Sequence, residues 1–158
     1  MNNLINDNKK NVELIRKDIQ DLNNNQELKG IKNGYNWRYV GQVVNGLKEG
    51  KGIYYFNNGD RYEGKWRNNK KEGKGIYYYN SGDRYEGDYR NDKAEGKGIY
   101  YYNNGDRYEG DWKNNKREGK GIYYYNNGDR EMGDYYNGKE IGKHVMLTRN
   151  GEVKINNY

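Results

Sequence analysis

Hydrophobic and polar positions alternate along most of this chain, and the alternation returns at a fixed interval. Tyr62, Gly64 and Trp66 are separated by single charged residues. This period of two is typical of a β-strand that buries one face. The same pattern begins again at Tyr85 and at Tyr108, each time after 23 residues. A repeat of this length predicts an array in which one supersecondary unit stacks on the next.

Each unit is predicted to form a β-hairpin. In the unit that begins at Tyr62, the polar segment 68–72 predicts a turn. The next strand is expected to carry two glycines and two tyrosines on one face: Gly73, Gly75, Tyr77 and Tyr79. The segment 80–83, Asn-Ser-Gly-Asp, predicts a second turn, because Asn and Asp bond to nearby backbone and Gly adopts positive φ. We therefore predict an all-β fold, an elongated single antiparallel sheet of stacked β-hairpins.

Glycines recur at two positions of the unit and predict two columns across the sheet. The columns are Gly41, Gly64, Gly87, Gly110 and Gly133, and Gly52, Gly75, Gly98 and Gly121. Glycine inside a strand costs roughly 0.5–1 kcal/mol, so its recurrence needs a reason. We expect each glycine to leave space in which a neighbouring Tyr or Trp ring lies flat against the backbone.

The composition fits such an array better than an ordinary globular core. Of 158 residues, 32% are hydrophobic and 33% are charged, and the mean hydropathy is -1.54. Taken alone, these values favour disorder. However, the chain has 20 Tyr and 3 Trp, at fixed positions of the repeat, and aromatic side chains bury large areas each. The sequence therefore predicts a thin, continuous core built from tyrosine.

The N-terminal segment differs from the repeats. Residues 1–29 contain no glycine, and Val12, Ile15, Ile19 and Leu22 fall at helical spacing. This pattern predicts a short N-terminal helix over about residues 9–22, followed by an Asn-rich linker. Two roles are open for its apolar stripe, capping of the first repeat and self-association.

Composition and repeat phase divide the chain into segments. These are the helix and linker (1–29), a degenerate half-repeat (30–38), five repeats (39–61, 62–84, 85–107, 108–130 and 131–153) and a C-terminal tail (154–158). The fifth repeat departs from the pattern, with Glu131 in place of Tyr and His144 in place of Gly. Its aliphatic residues predict either a closing hairpin or a surface for a homodimer, for which the N-terminal helix is the other candidate.

Candidate chemistry is sparse. His144 is the single histidine and there is no cysteine, which excludes a disulfide, a thiolate metal site and a site built on two histidines. The run Gly-Lys-Gly at 73–75 lacks the Gly-Lys-Ser/Thr ending of a phosphate loop. An aspartate followed by an arginine recurs in every unit, as at Asp83 and Asp106. This recurrence favours turn bonds and cross-strand ion pairs over acid–base catalysis. We expect no catalytic residue, metal or cofactor, and no nucleic-acid partner because most tyrosines belong to the core.

The repeat resembles the MORN repeat. Residues 62–66 read Tyr-Glu-Gly-Lys-Trp, residues 73–75 read Gly-Lys-Gly and residues 79–83 read Tyr-Asn-Ser-Gly-Asp; residues 108–112 begin a second close copy. The resemblance covers about residues 39–153. The resemblance implies a twisted antiparallel sheet with a grooved cross-section. Such arrays are found in cytoskeletal and membrane-associated scaffolds. In these proteins the groove holds a helix or peptide of a partner, or the array binds acidic phospholipid. Family membership implies architecture more strongly than function.

Two sets of residues follow as candidate sites. Tyrosines on the glycine-bearing face are expected to line a partner-binding groove: Tyr54, Tyr77, Tyr79, Tyr100, Tyr102, Tyr123 and Tyr125. The densest basic cluster is a candidate patch for anionic lipid: Lys65, Arg67, Lys70, Lys71 and Lys74. The opposite face offers a second surface: Ile53, Ile76, Ile99, Ile122, Tyr78 and Tyr101.

The sequence thus favours a non-enzymatic scaffold or adaptor that binds a partner protein. A peripheral membrane adaptor is the first alternative, since the net charge of +6 mildly favours acidic partners. Others are a regulatory module of a separate enzyme chain and an exported carbohydrate- or choline-binding repeat. No segment has the apolar length of a signal peptide or a membrane span, so we expect a cytoplasmic location with cytoskeletal or membrane association.

Overall fold

A computed structural model describes residues 25–32 and 35–158, with side chains from Trp37 onward. These residues form one twelve-stranded sheet in which every strand pairs with its neighbours in sequence, and each pairing is antiparallel. The strands are β1 (Asn25–Lys32), β2 (Tyr35–Val44), β3 (Leu47–Tyr55), β4 (Arg61–Arg67), β5 (Lys70–Tyr78), β6 (Arg84–Arg90), β7 (Lys93–Tyr101), β8 (Arg107–Lys113), β9 (Lys116–Tyr124), β10 (Arg130–Tyr136), β11 (Lys139–Leu147) and β12 (Val153–Asn157).

The all-β prediction and the single antiparallel sheet are confirmed. The described residues contain no helix, and therefore none with the length and apolarity needed to cross a membrane. The predicted helix over 9–22 lies outside the described residues. Strand β1 crosses the boundary at residue 29 that the sequence suggested between the linker and the half-repeat.

The turn between β4 and β5 is shorter than predicted. It consists of Asn68 and Asn69, and β5 begins at Lys70. Both asparagines have positive φ, 48° and 65°, as a two-residue turn between antiparallel strands requires. The predicted turn over 68–72 is therefore wrong in its second half, and residues 70–72 already alternate between the two faces of the sheet.

A β-bulge interrupts the alternation of side chains between the two faces in each hairpin of this kind, such as the one formed by β4 and β5. In β4 and β5 the register shifts between Gly64 and Trp66, and Gly73 has a φ of 65°. A Cβ on Gly73 would lie 3.4 Å from the Lys65 side chain, on the face opposite to the one that Gly75 presents to Tyr62. The expectation that Gly73 and Gly75 share a face is wrong, because the bulge turns Gly73 over.

The second turn forms as predicted. The Tyr79 N–H donates to the Asp83 carbonyl and the Gly82 N–H donates to the Tyr79 carbonyl, both at 3.0 Å. Gly82 has a φ of 94°, a conformation that favours glycine.

Tyrosine rings packed on glycine form the core. Tyr39, Tyr62 and Tyr108 are fully buried and Tyr85 is 2% exposed; we call these four the core tyrosines. A Cβ on Gly64 would lie 2.5 Å from the Tyr62 hydroxyl, and one on Gly75 would lie 2.6 Å from its Cζ. The hydroxyl donates to the Lys65 carbonyl at 3.1 Å. The predicted packing of rings on glycine columns is confirmed, and we call this side of the sheet the aromatic face.

The fifth repeat keeps this packing with a different residue. His144 is fully buried, and its ring covers Gly133 as Tyr108 covers Gly110. Its Nε2 lies 2.9 Å from the Asp134 carbonyl, the acceptor equivalent to the Asp111 carbonyl that the Tyr108 hydroxyl contacts at 3.3 Å. His144 thus supplies the ring that is lost where Glu131 stands in the tyrosine position.

Candidate functional site

A second set of rings forms an unbroken row on the aromatic face, beside the core tyrosines. Tyr77 and Tyr79 lie 4.6 Å apart between ring centroids, and Tyr79 lies 5.7 Å from Tyr100 in the next hairpin. Similar contacts continue through the other members. We call this set the outer aromatic row: Tyr54, Phe56, Tyr77, Tyr79, Tyr100, Tyr102, Tyr123 and Tyr125. The structure brings together all seven predicted groove residues and adds Phe56.

The outer aromatic row is more accessible than the core tyrosines. Seven of its eight members are half-buried, and the eighth, Tyr79, is 36% exposed. The sequence has Tyr at the positions of both sets. Only the strand register distinguishes a core tyrosine, whose ring packs on glycine, from a tyrosine of the outer aromatic row, whose ring retains an accessible surface.

Aspartates from the preceding turn hold the hydroxyls of this row. Tyr77 donates to Asp60 at 2.7 Å and Tyr100 donates to Asp83 at 2.9 Å. Burial alone would raise the pKa of Asp60, but hydrogen bonds from the Asn80 N–H and from Tyr77 outweigh it and hold the pKa below its usual value. Each aspartate therefore fixes a ring and a turn of the following hairpin. This pairing was missed at the sequence level, where the aspartates were assigned to their own turns.

Cationic side chains lie among the rings. The Lys71 Nζ is 4.8 Å from the ring centroid of Tyr77, 5.3 Å from that of Tyr89 and 5.5 Å from that of Tyr62. Burial lowers the pKa of Lys71, and the charge of Asp92 opposes this effect. An ammonium over aromatic faces is stabilised by the ring quadrupoles. Lys48 and Arg117 make similar contacts one repeat before and two repeats after.

The C-terminal end of the aromatic face contains a small polar cavity of about 320 Å³. Its walls include three members of the outer aromatic row, Tyr102, Tyr123 and Tyr125, together with Arg117 and Glu140. The Arg117 Nη1 lies 3.2 Å from Glu140 Oε1, so an ion pair forms part of the cavity wall.

The opposite face bears a larger open groove of about 980 Å³. Its floor is the backbone of the glycine columns, and its apolar lining includes Ile76, Ile99, Ile122 and Met132. Beside the groove, Tyr78 stacks under the Arg61 guanidinium at 4.3 Å, and Tyr101, Tyr124 and Tyr55 have the same kind of contact. The predicted second surface therefore exists as a continuous face, with its tyrosines covered by arginines.

The basic residues of the predicted lipid patch do not share one surface. Lys71 lies among rings on the aromatic face, whereas Lys65 and Lys74 line the opposite groove. Lys74 is paired with Asp88 at 2.9 Å. Arg67 and Lys70 face each other at the end of a hairpin.

The repeated acidic residues serve the structure. Asp83 accepts from the Asn103 N–H at 2.8 Å, so its carboxylate binds the turn of the next hairpin. Arg84 lies 3.9 Å from Glu86 on its own strand, so the expected cross-strand pairing of these arginines is wrong; the arginine crosses to a tyrosine ring instead. Among residues 37–158 no group of three or more His, Asp or Glu side chains is placed to hold a metal ion.

A sheet of 23-residue hairpins with two long open faces defines a β-repeat protein. A sequence profile described as the MORN repeat matches residues 39–61, 62–84, 85–107 and 108–130. These matches cover more than half of the chain, so the protein belongs to the MORN-repeat family, which is generally non-enzymatic. A comparison with curated proteins gives no significant match.

Proposed function

We propose that this protein is a non-enzymatic scaffold that binds a peptide or helix of a partner protein along the outer aromatic row. The observation that carries the proposal is the unbroken contact of half-exposed rings from Tyr54 to Tyr125. Tyrosine is enriched at interfaces because it combines a large apolar face with a polar tip.

Hydrogen bonds within the chain hold part of the row in place. The hydroxyls of Tyr77, Tyr100 and Tyr123 are each held by an aspartate at 2.7–2.9 Å. Side chains that are already ordered lose little conformational entropy on binding. A partner segment that lies along the row would therefore gain contact area at low ordering cost.

The groove on the opposite face is the second candidate surface for the same function. Its volume of about 980 Å³ and its isoleucine lining favour it. Three of its lysines, in contrast, are already paired with aspartates of the chain: Lys74, Lys97 and Lys120. We therefore propose that the partner binds the aromatic face. The experiment compares the contribution of the two faces to peptide affinity.

Peptides selected from a random library against the intact chain test this proposal. Their affinities are measured for the wild type, for the double variant Tyr79→Ala with Tyr102→Ala, and for the matched control Tyr78→Ala with Tyr101→Ala. The control removes the preceding tyrosine, the last residue of β5 or β7, which lies on the other face. We expect the first pair to weaken binding by at least about tenfold, since a buried interface ring contributes more than about 1.4 kcal/mol, and the control pair to change it less than about twofold.

Two outcomes would contradict the proposal. A larger loss in the control pair would move the site to the opposite groove. Failure to select any peptide, together with sedimentation of the chain only with vesicles that contain phosphatidylserine, would replace protein binding with acidic-lipid binding.

A further inference from the structure

Four aromatic sites repeat along the aromatic face, each built around one residue of the second strand of a hairpin. In the first, which we call cage 1, the Lys48 Nζ lies 4.4 Å, 4.5 Å and 5.9 Å from the ring centroids of Tyr54, Trp66 and Tyr39. In cage 2, Lys71 lies within 5.5 Å of three tyrosines. In cage 4, the Arg117 Cζ lies 4.9 Å from the Tyr135 centroid. These three cages hold a cation of the chain itself.

Cage 3 has the same walls as cage 1 and no cation of its own. Tyr85, Tyr100 and Trp112 stand where cage 1 has Tyr39, Tyr54 and Trp66, and Ala94 stands where it has Lys48. Trp112 lies 4.9 Å from Tyr85 and 6.2 Å from Tyr100 between centroids. The cation–ring contacts among residues 37–158 include none to these three rings.

The ring equivalent to Trp66 is more exposed in cage 3 than in the other cages, in agreement with the missing cation. The equivalent ring is 5% exposed in cage 1 (Trp66), 6% in cage 2 (Tyr89) and 2% in cage 4 (Tyr135). In cage 3 the equivalent Trp112 is only partly buried. The indole of Trp112 is held in place by its Nε1–H, which donates to the Gly98 carbonyl at 3.1 Å, so the position of this ring is fixed.

We propose that cage 3 binds a lysine or arginine side chain of the partner segment. Cation binding by aromatic faces strengthens when the site is partly desolvated, and the chain uses the same rings for its own cations in the other cages. The occupant is a side chain with N–H donors, because the Asp83 carboxylate lies at the edge of the cage, where it accepts from the Tyr100 hydroxyl at 2.9 Å. Cage 2 has the same arrangement, with Asp60 near Lys71. This inference rests on the proposed function and adds the chemistry of the partner.

The direct test uses the intact chain and a small probe, Nα-acetyl-lysine-N-methylamide, with its Nε-acetylated form as the neutral control. NMR signals of the Ala94 methyl and of the Trp112 indole N–H report binding in cage 3. We expect one saturable site, with the charged probe bound at least about fivefold more tightly than the neutral one. Choline is the third probe, and tighter binding of choline than of the lysine probe would overturn the assignment to a protein side chain.

Two variants make the test specific. Ala94→Lys places the chain's own cation in cage 3, as in cages 1 and 2, and is expected to abolish probe binding. Lys48→Ala removes the cation from cage 1, and the probe is then expected to shift the Trp66 indole signal as well. Unchanged binding in Ala94→Lys, or no shift of Trp66 in a folded Lys48→Ala chain, would overturn the proposal.

The two proposals fail separately. Selected peptides that lack Lys and Arg yet depend on Tyr79 and Tyr102 would keep the scaffold function and overturn the cage. Probe binding at Ala94 without any selected peptide would keep the cage and overturn the scaffold function.

Discussion

At the residue scale, the fold depends on pairs in which glycine gives space and tyrosine fills it. The Tyr62 ring covers both Gly64 and Gly75, and a Cβ on either glycine would overlap it. The ring gains a hydrogen bond through its hydroxyl and loses almost all contact with water. Because protein interiors are close-packed, even one added methyl group at such a position must displace the ring or the strand.

Gly75→Val is expected to destabilise the protein strongly. The valine branches would occupy the volume of the Tyr62 ring, and overpacking of a filled core costs about 1–3 kcal/mol or more. We expect a loss of at least about 3 kcal/mol and a fall of roughly 6–12 °C in Tm, measured by thermal and urea unfolding.

The matched control is Lys74→Val, which introduces the same residue one position earlier on the open side of the sheet. It removes only the surface pair with Asp88, so its effect should stay within about 1 kcal/mol. Equal Tm values for Gly75→Val and wild type, within a degree or two, would refute the packing of rings on glycine.

At the element scale, side chains of one turn bind the backbone of the next. Asp83 accepts from the Asn103 N–H at 2.8 Å at one end of the hairpins. At the other end, Asp92 accepts from the Lys71 N–H at 2.8 Å, and Glu72 accepts from the Asn91 N–H at 3.1 Å. These bonds link each hairpin to its neighbour at both ends, in addition to the strand pairing.

The last hairpin provides a test of whether Glu131 and His144 act as a pair. The His144 ring takes the volume and the hydrogen bond of the missing tyrosine. Glu131 accepts from Tyr125 and Asn156, both at 2.8 Å. We predict that Glu131→Tyr alone destabilises by about 1–3 kcal/mol, because two rings then compete for one space. His144→Gly alone should cost about 2–4 kcal/mol through the cavity that it leaves.

The double variant should recover part of this loss, because it restores the Tyr and Gly pattern of the other repeats. A double-mutant cycle from urea unfolding is expected to give a favourable coupling of about 2–3 kcal/mol. The recovery is incomplete because the hydrogen bonds of Glu131 are lost. Additive losses from the two substitutions would show that His144 does not replace the tyrosine.

The sequence predicts the hairpins, the single sheet and the tyrosines of the aromatic face, because alternation and a fixed repeat determine which of these side chains share a side. It did not predict the direction of Lys71, since the turn was assumed to last through residue 72, whereas β5 begins at Lys70. The bulge at Gly73 also breaks simple alternation. The hydrogen bond from Tyr77 to Asp60 joins different hairpins. It could be predicted only with knowledge of the register in which these hairpins pair.

At the scale of the whole molecule, the core is a continuous set of neutral phenols. Burial raises the pKa of all four core tyrosines. It raises the pKa of Tyr89 and Tyr135 as well. A charged phenolate would lose its hydration inside this core, so the folded chain keeps its protons where the unfolded chain releases them.

We predict that stability falls steeply in alkaline solution. The folded-state pKa of these tyrosines lies above the unfolded value of about 10, so the unfolded chain binds fewer protons as the pH rises through this value, and unfolding becomes easier. The contribution of the buried neutral tyrosines to stability is fully present below about pH 9. Urea midpoints should be similar between about pH 8 and pH 9 and should fall between about pH 10 and pH 11.

Tyrosinate absorbance provides the internal control for this titration. The buried tyrosines should ionise together with the loss of the circular dichroism of the sheet. Ionisation of all 20 tyrosines while the sheet remains intact would contradict the prediction.

The pairing of every strand with its neighbour in sequence has a consequence for how the chain folds. Because sheet order equals chain order, closing each new strand pair requires only a short loop, and such local contacts are typical of fast folding. Any hairpin is able to start the process, and growth proceeds outward by one hairpin at a time. Within the described sheet, the hairpins at either end pair with a neighbour on one side only, and they are then the first to open and the last to form.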